Sequence, residues 1–242
     1  MKKTLLVIAI SAFLTACGSG GGSSNSEANT TENTAGNSVN TPAVSTVPAA
    51  DKKDTSLILN DIAKSEINQF VLNGKTVNLM PQGMNPGGFF MNNGGNIFGD
   101  TLTKAVSGRK YTETRFGILV PDDADLVAFS QGTVTVLDDM PTANVETKYS
   151  GDFVNYDKNK KSFNNGTVDV GVNFALKNIK IDTFDDQTGK KLGDTMTGSI
   201  TGNQFTFDSG KGKGQFYGSQ AAELSGIHKD GNVVTSFGAK KQ

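Results

Sequence analysis

Thr167-Val168-Asp169-Val170-Gly171-Val172-Asn173-Phe174-Ala175-Leu176 is the stretch that decides the fold. Val168, Val170, Val172, Phe174 and Leu176 share one parity, while Asp169, Asn173 and then Lys177 hold the other. Period two over ten residues describes a β-strand with one face in a core and one in water. The same alternation runs upstream through Val145, Thr147, Tyr149, Gly151 and Phe153. Downstream it recurs in Met196, Gly198 and Ile200, and again in Val233, Thr235, Phe237 and Ala239. Asn164-Asn165-Gly166, Thr188-Gly189, Asp208-Ser209-Gly210 and Asp230-Gly231 separate the runs and predict turns. Short alternating strands without a long helical period predict an antiparallel barrel or sandwich. Closure is favoured, because open sheet edges invite aggregation.

The texture changes near Pro141-Thr142, and the part before it is less regular. Phe70-Val71-Leu72, Asn73-Gly74 and Lys75-Thr76-Val77-Asn78-Leu79 predict a two-residue hairpin, because Asn-Gly accepts the positive φ angles of a type I′ turn. Ser56 to Ile67 reads equally as a helical turn or a strand. Thr112 to Leu119, Leu126 to Ser130 and Thr133 to Leu137 read as strands of a small sheet. No regular element fits Met80 to Gly95, with its Pro81, Pro86 and repeated Gly and Asn.

The N-terminus reads as an address. Lys2 and Lys3 precede an apolar run from Leu5 to Phe13, too short to span a bilayer. Leu14-Thr15-Ala16-Cys17 then matches a bacterial lipobox, which predicts a signal peptide over 1–16 and a lipid on Cys17. Gly18 follows, where an aspartate would favour retention at the inner membrane, so the outer membrane is the expected destination. From 17 to 54 the chain is Gly, Ser, Thr, Asn and Ala with few large apolar residues, the composition of a disordered linker. Such a tether reaches roughly 30–40 Å on average. The body divides into residues 55–144 and 145–242.

Composition narrows the chemistry. A formal net charge of −1 and no long basic run argue against nucleic-acid binding. Cys17 is the single cysteine and His228 the single histidine, so no Cys-His or Ser-His-Asp set is in view and no enzyme is expected. His228 reads as an exposed turn residue. Asp122-Asp123, Asp138-Asp139 and Asp185-Asp186 match no calcium-loop spacing and read as solvated turns, so no metal site is expected. The segment Met80 to Phe98 holds Met80, Met84, Phe89, Phe90, Met91 and Phe98 among glycines and asparagines. Apolar residues in an irregular loop either pack back under the domain or meet a partner, and these six are the candidate ligand-binding residues.

One further signal is a resemblance. Gly214-Gln215-Phe216-Tyr217-Gly218, then Ala221, Ala222, Glu223, Leu224, Gly226 and the closing Phe237-Gly238-Ala239-Lys240-Lys241, resemble the barrel ending of transferrin-binding protein B lobes and of factor H-binding protein. Tyr111 to Gly117, Ala128-Phe129-Ser130-Gln131-Gly132, Met140-Pro141-Thr142 and Lys148-Tyr149-Ser150-Gly151 look like Slam-dependent surface lipoproteins and the haem-binding hemophilins. The resemblance spans about 68–242. It implies a mostly all-β chain with a small N-terminal handle domain, of strands and irregular loops, followed by an eight-stranded antiparallel barrel. It also implies passage to the cell surface by a Slam-type outer-membrane translocator. The partner it points to is a host serum or iron-carrier protein, bound for iron acquisition or immune evasion. Alternatives are a hemophore-like haem binder and an envelope adhesin. Hemophilins are expected to hold haem through histidine in the N-terminal domain; here His228 lies in the barrel half, so no cofactor is expected and haem stays the alternative.

Overall fold

The computed structural model describes residues 55–97 and 99–242. The expected signal peptide, Cys17 and the linker to residue 54 lie outside the described residues, and so does Phe98. The described residues form one compact unit.

The first half supplies β1 (Thr55–Asp61), β2 (Gln69–Leu72), β3 (Lys75–Asn78), β4 (Phe89–Asn92), β5 (Thr103–Ser107), β6 (Thr114–Val120) and β7 (Leu126–Gly132). The second supplies β8 (Thr147–Asp157), β9 (Ser162–Asn173), β10 (Asn178–Asp185), β11 (Met196–Thr201), β12 (Gln204–Phe207), β13 (Gly212–Tyr217), β14 (Glu223–Asp230) and β15 (Val233–Lys241). An open sheet in the order β1-β7-β6-β5-β4 and a separate β2-β3 hairpin make the handle. The eight strands β8 to β15 close into an antiparallel barrel, with β15 paired to β8 and β9 to β10. The mostly all-β class, the handle and the eight-stranded barrel are therefore as the sequence and its resemblance led one to expect.

The alternation works as a barrel needs. Tyr149, Phe153, Val168, Val170, Val172, Ile179, Ile181, Ile200, Phe205, Phe207, Phe216, Leu224 and Phe237 form one buried interior. Phenylalanines fill it because glycines stand beneath their rings. A Cβ at Gly214 would lie 2.2 Å from the Phe205 ring, so that position admits no side chain. The predicted hairpin is present, with Asn73 at φ 50° and Gly74 at φ 76°. It packs Phe70 and Leu79 against Val106, Leu119, Val127 and Phe129 on the outer face of the handle sheet.

Several local expectations are corrected. Asn164-Asn165-Gly166 is inside β9, not a turn; Gly166 faces Phe153, whose ring would be 2.6 Å from a Cβ there. The alternation also overruns its strand. After Asn173 the chain turns through Phe174 to Lys177, so Phe174 stays buried but Leu176 is exposed. Thr133 to Leu137 is not a strand: Val134 makes an isolated bridge to Tyr217, and Leu137–Asp139 is a 3-10 turn. Ser56 to Ile67 resolves into β1 and a 3-10 turn at Lys64–Glu66. Phe89–Asn92, read as irregular, is β4, because antiparallel pairing with β5 satisfies its backbone despite the nearby glycines.

Candidate functional site

The site follows from how handle and barrel are joined and what that leaves uncovered. The handle sheet lays Ala105, Ile118, Leu126 and Ala128 on Val154, Tyr156, Ile227 and Val234 of the barrel's outside. β8, β14 and β15 are thus buried on both faces. Phe116 lies on the backbone of β15, where a Cβ at Gly238 would sit 2.2 Å from its ring. Two polar anchors fix the orientation. Glu223, 1% exposed at the start of β14, accepts from the amides of Thr112, Glu113 and Thr114 at 2.9, 3.0 and 3.0 Å. Tyr111 donates to Asp152 or the Gly238 carbonyl, each 2.9 Å away, while its oxygen accepts from the Asp152 amide. Burial, reinforced by the Asp152 charge, holds the Tyr111 hydroxyl pKa far above the usual phenol range, so it stays a donor.

This join sets the two halves side by side with their ends in line. Thr55 opens β1 opposite Leu126, and Asp61 closes it opposite Gly132. From Gly132 the chain reaches the end of β13 through the Val134–Tyr217 bridge. The end of the molecule remote from Thr55 therefore carries the β7–β8 connection and the turns after β9, β11 and β13. Seven large apolar side chains are exposed among the described residues: Val71, Met84, Val136, Leu137, Val145, Leu176 and Leu192. Val136, Leu137, Val145 and Leu176, each 63–66% exposed, all belong to this remote end. Met84 joins them, in the loop whose Pro86 and Gly87 carbonyls accept from Arg109 and Lys110 beside the β5–β6 turn.

The connections bearing these residues are braced. Asp139 accepts from the Gln220 amide at 2.8 Å and from its side chain, and those bonds lower its pKa below the usual carboxylate range. Asn203 donates to the Thr135 carbonyl at 2.8 Å, and Asn173 to Asn144 at 3.3 Å. An apolar group held on braced loops loses little freedom on binding.

The six sequence-derived candidates do not form one group. Phe90 is buried beneath Lys104, whose ammonium lies 5.7 Å from its ring centroid. Phe89 meets Phe116 edge-on at 5.8 Å, and Phe89 and Met91 pack towards the barrel contact. Met80 packs beneath the hairpin, Met84 is exposed, and Phe98 lies outside the described residues. His228 is not an exposed turn residue. It sits on β14 with its side chain 13% exposed, its Nε2 2.7 Å from Asp208 and its ring stacked on Phe207. Reading the sequence missed Val136, Leu137 and Leu176 as surface residues because each continues a strand-like pattern; the Asp138-Asp139 break after Leu137 was the available signal.

A closed eight-stranded antiparallel barrel flanked by an open handle sheet, with an apolar end, defines a barrel-and-handle protein. The model of the C-lobe and N-lobe beta barrels of Tf-binding protein B matches residues 132–241. Among solved structures, a mutant of transferrin binding protein B from Haemophilus parasuis Hp5 is 24% identical with a TM-score of 0.53, covering 73% of this chain and 41% of that one. The isotype 1 transferrin binding protein B from serogroup B Neisseria meningitidis is 21% identical with a TM-score of 0.56, covering 73% and 39%. No curated protein sequence matches. The likeness is one of fold, and this chain spans about two fifths of those chains. Residues 132–241 thus form a barrel similar to those of the transferrin-binding protein B lobes.

Proposed function

We propose that this chain is a surface-exposed outer-membrane lipoprotein that captures a host iron-carrier protein through the end remote from Thr55. The observation that carries this reading is the placement of Val136, Leu137, Val145, Leu176 and Met84 opposite the point where the tether joins β1. A lipid on Cys17 would hold the Thr55 end towards the membrane and present the apolar end outward. Clustered exposed apolar groups on rigid loops are what a protein partner buries. The barrel match to transferrin-binding protein B supports an iron carrier as the partner. Passage through a Slam-type translocator belongs to the same reading and rests on the sequence resemblance.

Two measurements test it. Cells expressing the wild-type chain should incorporate a palmitate analogue into it, and Cys17→Ser should abolish the label; an unlabelled wild-type chain refutes the anchor. Full-length protein should capture transferrin or lactoferrin from serum in surface plasmon resonance. The Leu137→Asp, Leu176→Asp double variant should weaken capture by about 30-fold or more, the scale of losing one hot-spot residue. Its melting temperature should not move, since both residues are exposed. Unchanged affinity in that variant would remove this end from the contact.

A further inference from the structure

The barrel opens at its end on the Thr55 side, where the turns after β8, β10, β12 and β14 lie. At the remote end Tyr149, Phe174, Phe216 and Leu224 fill the interior, and the Tyr149 hydroxyl is tied to the Ala221 carbonyl at 2.7 Å. Towards the other end the inward parity continues, but its residues change. Phe153 is followed inward by Asn155, Ile181 by Thr183, Gly226 by His228, and Phe237 is preceded by Thr235. Those polar positions line a cavity of about 560 Å³, floored by Phe153, Phe237 and Met196. An eight-stranded barrel has room at its mouth for one small ligand, and this volume falls in the ordinary range of ligand pockets.

The rim has a sign. Asp194, Asp208 and Asp230 surround it with the Lys211 ammonium, and the Lys191 ammonium, paired with Asp182, donates to Thr195 at 2.6 Å. Lys211 is shared between Asp230 at 3.1 Å and Asp208 at 3.7 Å, and His228 is held by Asp208. Asp194 is exposed and makes no ion pair among the described residues. The mouth therefore pairs an aromatic floor with hydrogen-bonding walls and an excess of negative charge above them.

We infer that the barrel mouth binds a small aromatic amine, its ring on Phe153 and Phe237 and its ammonium at the Asp194 side of the rim. Ring stacking and a cation facing the Asp194 carboxylate act on the two ends of such a molecule. The site lies at the opposite end from the proposed protein contact and is independent of it.

Tryptamine is a suitable probe, because the chain contains no tryptophan and the ligand's indole fluorescence reports its own binding. Anisotropy titrations of the full chain should saturate below about 1 mM. Indole-3-acetate, of similar ring and opposite charge, should bind about tenfold more weakly or worse. Asp194→Asn, at an exposed position, should weaken tryptamine at least about threefold with melting unchanged. Thr235→Phe, which fills the mouth, should abolish binding in a folded chain. No saturable signal with tryptamine, equal affinity for the acid, or full affinity in Asp194→Asn would each overturn the assignment, and the last holds even if Thr235→Phe fails to fold.

Discussion

Phe216→Ala is expected to lower the free energy of unfolding by about 3–5 kcal/mol, the cost of deleting a fully buried aromatic ring and leaving a cavity. Phe216 is 0% exposed on β13, at the centre of the barrel's closed end. Its ring centroid lies 5.3 Å from Phe174, 5.3 Å from Phe205 and 6.5 Å from Tyr149. Each aromatic pair adds about 0.5–1.5 kcal/mol beyond the area it buries. The rings around it cannot collapse inward readily. Phe205 is seated on Gly214, and Tyr149 is tethered by its hydroxyl to Ala221. Urea denaturation should show a lower midpoint with an unchanged slope, the mark of lost packing and not of an altered unfolded state. Leu176→Ala, on the exposed turn, should change stability by less than about 0.5 kcal/mol. A loss near zero for Phe216→Ala would mean that this ring does not fill the interior.

Glu223→Ala is expected to cost a similar amount, about 3–5 kcal/mol, through a different cause. Three consecutive amides, those of Thr112, Glu113 and Thr114, converge on one buried carboxylate from the barrel. Such a run of N–H groups is an anion-binding concavity, and bonds to a charged acceptor are the stronger kind. Removing the acceptor leaves buried donors unpaired, at about 1–3 kcal/mol each when no water reaches them. Glu223→Gln keeps one acceptor oxygen but turns an amide towards donors, so it should recover about half of the loss. The readout that distinguishes this residue from Phe216 is local. Amide exchange should accelerate at Thr112 to Thr114 and across β6, while β9 to β12 keep their protection. Uniform acceleration over both halves, or none, would show that Glu223 is not the clasp between handle and barrel.

What local physics dictates is legible along the chain. The period-two runs located β8, β9, β11 and β15, four of the eight barrel strands, and Asn73-Gly74 located the hairpin. Elements whose outcome is decided by a partner distant in sequence are not legible locally. Phe89 to Met91 lacks a visible period because β4 is an edge strand whose residues divide between two packing faces. Asn164-Asn165-Gly166 carries turn formers, yet the glycine is required by the Phe153 ring on the neighbouring strand. Glu223 carries no local signal at all, since its partners lie 109 to 111 residues earlier. The candidate surface was only partly legible: Met84 was among the named residues, whereas Leu137 and Leu176 continued strand-like patterns and passed as core.

The sequence by itself determined that this is a β-rich chain of alternating strands, with the residues of the barrel interior on one parity, because side-chain parity along a strand is a local consequence of backbone geometry. Tertiary structure decided which outer faces are covered, as Val154, Tyr156, Ile227 and Val234 show beneath the handle. It also decided which end of the molecule presents exposed apolar groups and which end of the barrel stays open. Those properties depend on where the handle docks, and the docking rests on Glu223, Tyr111 and Phe116 meeting groups roughly 40 to 130 residues away, separations that no local pattern encodes.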